Sequence, residues 1–281
     1  MTAPPTTRTT AAIGAAGQWA GGSSWPVAPL QTFGRTVRLG GRVVVLAFTD
    51  TARLRLPFRD LVIQAWFYLS VTALPALLLS IPIGVIMAVQ VGNITSQLGA
   101  QSMSGAAGAG VMQQAAPLVA ALLIGGAGAS AVASDLGART IREETDAMRT
   151  MGIDPHQRLV VPRVIAMTFV APMLSIIITF VTVLASFLVA VVWQGIAVGS
   201  YWLSFGMFAT VTDIFFGCAK AALFGFIVAV VASERGLNVA GGPRGVATGV
   251  NASVVIGVLS CMVVNVFITQ LQFMFFPPTV F

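Results

Sequence analysis

Between Asp135 and Arg163 the chain gathers five acids (Asp135, Glu143, Glu144, Asp146, Asp154) and five arginines (Arg139, Arg142, Arg149, Arg158, Arg163). On either side it runs without one Asp, Glu, Lys or Arg, from Leu61 to Ser134 and from Val164 to Thr212. Side chains of this kind pair with one another or dock on a charged partner. Arg139 with Glu143, and Arg142 with Asp146, stand four apart and match on a helix surface. A sparser set is Asp213, Lys220 and Phe224, which fall along one helix face. Seven residues of helix span about 10 Å, so Asp213 and Lys220 are too far apart to bond directly. His156 is the only histidine, and Cys218 and Cys261 are the only cysteines. With no second His, no Cys pair and no Ser-His-Asp grouping, metal binding and hydrolytic catalysis lack support. His156 reads as a capping or interface residue, and the cysteines read as small packing residues.

The elements that must position these groups are membrane helices. A chain of 281 residues with 57% hydrophobic and 9% charged residues and a mean hydropathy of +0.91 is not a soluble protein. A spanning helix needs roughly 20 apolar residues. The hydropathy places five, at about 68–91, 113–134, 164–192, 213–233 and 250–275. Seven arginines lie between Arg8 and Arg59, five between Arg139 and Arg163, and two at Arg235 and Arg244. The segments 92–112, 193–212 and 276–281 carry no Lys or Arg. Five spans with every basic segment on one side put the N-terminus in the cytoplasm and the C-terminus outside. The net charge of +6 then reflects orientation and attraction to anionic headgroups, and no nucleic-acid partner is called for.

Residues 1–29, rich in Thr, Ala, Gly and Pro, read as a disordered cytoplasmic tail without a secretory signal. Residues 30–60 form an interfacial region. Phe33, Val37, Val44 and Phe48 recur at helical spacing with Arg35, Arg38 and Arg42 opposite, which suits a helix lying in the membrane surface or one packed on protein. Pro57 ends that element. Residues 61–281 form the transmembrane domain. Pro75, Pro82 and Pro172 fall inside spans and predict kinked, bundled helices. Gly125, Ala129 and Ala133 mark the second span as a close-contact helix, within or between subunits. The outer segments, including QGIAVGSYWLSFG, read as linkers.

The island itself reads as one helix from Asp135 to Met151, its core at about 136–152, stopped by Gly152. Ile141, Thr145, Met148 and Gly152 give it a narrow apolar stripe. Asp154 followed by Pro155 starts the next helix, the carboxylate capping free amides. Two readings stand side by side. One is an orientation anchor with incidental ion pairs, each worth at most about 0.5 kcal/mol. The other is a rigid amphipathic helix presented to a cytoplasmic partner, which accounts for the acids as well.

The stretch SDLGARTIREETDAMRTMGIDPHQRLVVPRVIA is similar to the signature of the MlaE/YrbE family, the permease subunits of ABC-type MCE lipid transporters. A second block agrees: Lys220-Ala221, Phe224-Gly225, Arg235-Gly236, Gly241-Gly242 and Gly245-Val246. The resemblance covers most of residues 30–275, and ASDLGARTIREE looks most like the first of the paired actinobacterial permeases. It implies an all-α integral membrane protein with an interfacial helix, five spans and a cytoplasmic coupling helix. Arg139, Arg142, Glu143, Glu144, Asp146, Met148, Arg149 and Gly152 would then meet an ATPase. It also implies Lys220 as a cavity-lining cation, with Asp213 and Phe224 on its face; the residues alone equally allow Lys220 to snorkel to the outer interface. Many members carry an arginine where this chain has Ala127, so a headgroup role for that arginine does not transfer.

The implied partners are a second YrbE-type permease, a cytoplasmic ABC ATPase dimer, extracytoplasmic MCE proteins and membrane lipid, at the bacterial inner membrane. The sequence has no GxxxxGK[ST] and one lysine, so ATP and Mg would be held by the ATPase and this chain would carry no cofactor. A secondary transporter or channel, and a non-transporting scaffold, are the competing classes. The lipid stays open among fatty or mycolic acids, sterols and phospholipids.

Overall fold

The computed structural model describes residues 27–52, 58–100, 103–239 and 241–275. The expected tail, the break at Pro57 and the C-terminal residues 276–281 lie outside them. The architecture is all-helical. Helix α1 is Val27–Ala52. Five helices are long and apolar enough to cross a membrane: α2 (Phe58–Gln97), α3 (Ala106–Ile141), α5 (His156–Trp193), α7 (Val211–Leu237) and α8 (Pro243–Phe275). Two short helices join them, α4 (Glu144–Thr150) between α3 and α5, and α6 (Val198–Phe208) between α5 and α7.

The expected spans sit inside longer helices. Hydropathy marks the part that lies in hydrocarbon, whereas the helix continues until a cap stops it. Residues up to Arg38 form one unit and those from Leu39 a second. Within the second, the end of α1 does not lie apolar face down on lipid alone. Leu39 and Val43 are buried in the hydrophobic core, and Val44 and Val45 are exposed.

α3 is the central helix of the bundle, more buried than any other span. It is built from Ala, Gly and Val, and two π-helical turns interrupt it at Val111–Ala115 and Ile124–Gly128. Small residues along it make close contacts within the chain. A Cβ on Gly125 would stand 2.9 Å from the Val258 side chain and 3.0 Å from its backbone on α8. Ala129 and Ala133 are buried on the same helix. On the other side α2 lies against α5, where a Cβ on Gly84 would run into the Thr182 carbonyl oxygen. Lipid tails offer helices no hydrophobic drive to associate, so close backbone approach through small residues must supply the packing.

One substitution pair tests this. Gly125→Ala forces α3 away from α8 and should lower stability by about 1–3 kcal/mol, read as a lower unfolding midpoint in detergent. Gly126→Ala, where a Cβ meets nothing within 4 Å, should leave the midpoint unchanged or slightly raised.

Candidate functional site

At the charged end the island is not one helix. α3 stops at Ile141, and α4 starts at Glu144 after Glu143 takes a left-handed conformation at φ 58°. That break changes which charges meet. Arg139 does not pair with Glu143, nor Arg142 with Asp146. Instead Arg139 reaches Asp135 at 3.2 Å and Glu144 at 3.4 Å, and Arg149 reaches Asp146 at 3.0 Å. A change of direction between residues 141 and 144 takes the predicted partners off a common face.

The deepest pair was not anticipated. Arg163 at the start of α5 is 2% exposed and bonds the Asp135 carboxylate through one η nitrogen and the Leu159 carbonyl through the other. Tyr68 of α2, itself buried, lies beside the same guanidinium and donates to Gln64 at 3.3 Å. The signal was present in the sequence: Asp135 and Arg163 are the charges that border the two uncharged runs, so they sit nearest the apolar interior. Arg42 likewise turns from the headgroups to protein and donates to Asp154 at 2.7 Å, while Arg158 approaches Asp60 at 3.8 Å. These outer pairs are half-exposed and each is worth at most about 1 kcal/mol.

The corner between α4 and α5 follows its sequence signals. Gly152 at φ 76° ends α4, its N–H donating to Arg149 and that of Ile153 to Met148, the two bonds of a Schellman stop. The N–H of His156 donates to the Asp154 side chain at 3.0 Å, the expected start of the next helix. Of the residues expected to meet an ATPase, Arg142, Glu143, Asp146, Arg149 and Gly152 are exposed. Met148 packs on the core, Thr145 is buried, and Arg139 and Glu144 are engaged with each other. Met151 and Ile153 add exposed apolar surface beside the charged residues.

The opposite end carries a second polar knot. Thr210 and Asp213 form a reciprocal capping box at the start of α7, the T-x-x-D signature that the sequence displays and hydropathy overlooks. Asp213 is 8% exposed and also accepts bonds from Gln113 of α3 at 3.1 Å and Gln272 of α8 at 2.7 Å. The carboxylate thus ties three spans together. Nor is 193–212 merely a linker: α6 buries Tyr201 and Ser204, and Ser204 accepts a bond from the Gly105 amide at 2.9 Å. Tyr201 meets Phe187 edge to face at 5.2 Å and donates to Ser186 at 3.3 Å. Burial pushes its phenol pKa up, so it stays a neutral donor.

A cavity of about 360 Å³ opens beneath α6, walled by α5 and by the first turns of α7. Asp213 lines it; Lys220 and Phe224 do not. Lys220 neither snorkels outward nor faces this cavity. It is 1% exposed and donates to Thr269 of α8 at 2.9 Å, and Phe224 is fully buried in the core. Periodicity sets the three residues along α7 but does not say which neighbour each one meets. Cys218 borders the cavity and Cys261 is buried.

The family model described as Permease MlaE matches residues 61–271. The chain belongs to the MlaE permease family. It is similar to a probable ABC transporter permease protein of Synechocystis, 29% identical over 192 residues that cover 68% of this chain and 73% of that protein. It is 26% identical over 244 residues to the intermembrane phospholipid transport system permease protein MlaE of Haemophilus influenzae, covering 86% of this chain and 93% of that one. The chloroplastic protein TRIGALACTOSYLDIACYLGLYCEROL 1 of Arabidopsis thaliana is 26% identical over 198 residues, 70% of this chain and 57% of its own length. Family and helices together make this a multi-pass membrane permease.

The two shells of charge at the island predict unequal costs. Asp135→Ala leaves the Arg163 guanidinium buried without its counter-charge and should destabilise by about 3 kcal/mol. Arg139→Ala removes a partner 38% exposed and should cost at most about 1 kcal/mol. Unfolding midpoints of the two purified variants check the order.

Proposed function

We propose that this chain is the permease subunit of an ATP-driven lipid transporter of the MCE type, resembling the first of the paired YrbE permeases. It pairs with a second, homologous permease, and two copies of an ABC ATPase sit at the charged end. The ATPase binds the ATP and Mg, and this chain supplies no catalytic residue. MCE proteins receive or deliver lipid at the opposite end, and a bacterial inner membrane holds the complex.

The observation that carries this reading is the presentation of α4. The turn at Arg142 and Glu143 and the two-turn helix after it expose Arg142, Glu143, Asp146 and Arg149, and the segments that flank α4 are fastened to α1, α2 and α3 by Arg42–Asp154, Arg158–Asp60 and Arg163–Asp135. A push on such an element moves the spans attached to it, and a solvated anchor needs no such fastening. Arg235 and Arg244 lie at the same end: Gly236 and Val246 approach Leu136 and Gly137 of α3. Among the described residues from Leu39 on, Arg42, Arg158, Arg163, Arg235 and Arg244 thus lie at one end, which supports a cytoplasmic N-terminus and an external C-terminus. The relatives named for ABC and phospholipid transport support the motor and the cargo class.

The test uses the assembled complex carrying Glu143→Ala and Asp146→Ala together. Both side chains are exposed, so the fold should survive. The expected result is loss of ATPase co-purification, or a fall in ATP-driven lipid transfer of at least about tenfold, since truncated interface anchors cost that much or more. Unchanged assembly, hydrolysis and transfer would overturn the proposal.

A further inference from the structure

Building on the lipid-permease reading, the cavity beneath α6 identifies the head of the molecule it accepts. Its wall is apolar along Ile176, Phe180, Leu184 and Phe187 of α5 and Trp202 and Phe205 of α6. Thr179 also borders it, but its hydroxyl donates back to the Ser175 carbonyl at 2.8 Å. The one carboxylate in the lining is Asp213, and its acceptor capacity is unevenly used. Oδ2 receives the Thr210 amide at 3.0 Å, the Thr210 hydroxyl at 2.9 Å and Gln113 at 3.1 Å. Oδ1 receives Gln272 alone, at 2.7 Å. A carboxylate oxygen accepts about two hydrogen bonds, so Oδ1 keeps one position open. The cation that would welcome an acidic head is elsewhere: Lys220 lies two turns along α7, roughly 10 Å away, and is engaged with Thr269 outside the lining.

We propose that this cavity binds an apolar molecule headed by an uncharged hydroxyl, which donates to Asp213 Oδ1. An acidic head would bring a second negative charge against a carboxylate in an apolar wall, an arrangement that low dielectric penalises. An ammonium head would have to shed its water to meet a carboxylate already holding four donors. The site is a groove open along one side, where Phe180 is 68% and Ile176 53% exposed, so the apolar part of the ligand extends beyond it along the helices.

The experiment uses the full chain in lipid nanodiscs and three photoreactive probes that share one diazirine-bearing alkyl chain and end in an alcohol, a carboxylate or an ammonium. Crosslinks to α5 and α7 are mapped by mass spectrometry. The alcohol should label at least about tenfold better than either charged probe, as expected of a site built to hydrogen-bond a hydroxyl. Asp213→Asn should shrink that preference. Gly217→Leu, on the cavity wall where a Cβ meets nothing within 4 Å, should abolish labelling by all three with the unfolding midpoint unchanged. Equal or better labelling by a charged probe, or undiminished labelling of Gly217→Leu, would overturn the proposal. ATP-driven transfer by the complex, measured in parallel, separates the two readings. Transfer without Gly217-dependent labelling leaves the permease reading standing and removes this site. Gly217-dependent alcohol labelling without transfer leaves the site and removes the permease reading.

Discussion

The structure turns on the bond between Arg163 and Asp135. A guanidinium 2% exposed at the edge of a span survives only with a counter-charge, and Asp135 provides it from the preceding span. That bond fixes where α3 and α5 stand relative to each other, and hence where the segment between them must turn. α4 is short because the chain has to return from Asp135 to Arg163. The Schellman stop at Gly152 and the cap at Asp154 complete the corner, and Arg42 and Arg158 hold it from two other helices.

The far end solves the same problem with opposite chemistry. There a lone carboxylate, Asp213, is held by four donors, two of them glutamine amides from α3 and α8. Each knot sets its buried charge against polar partners drawn from other helices, which a low-dielectric surrounding requires. Between them the helices meet through Gly and Ala. A protein arranged this way is stiff at two ends and holds its cavity next to the knot farther from the charged helix. The two ends are joined by α5, which carries Arg163 at one end and Phe187 of the cavity wall at the other.

The spans, their order and the corner at Gly152-Ile153-Asp154-Pro155 were legible in the sequence, because hydropathy, caps and turn residues act locally. The partners of Arg139 and Arg142 were not. They depend on the left-handed turn at Glu143, a residue type that seldom adopts φ 58° and gives no warning in the sequence. Periodicity puts Lys220 in register with Asp213 on α7, but whether it meets water, cavity or α8 is a tertiary fact. Gln113, Gln272 and the capping box at Thr210–Asp213 were visible as polar residues in apolar surroundings, yet only the fold brings them to one carboxylate. The helix α6 escaped notice because its aromatic residues find partners in α5, far from its own segment.

The central claim is that the charged end faces the motor. Site-specific crosslinking in the assembled complex tests it most directly, with benzoylphenylalanine placed at exposed Thr150 beside the outward face of α4, or at exposed Met207 on α6. The account predicts crosslinks to the ATPase from position 150 and none from position 207. Crosslinks from 207, or their absence at 150 in a complex that still hydrolyses ATP, would contradict it.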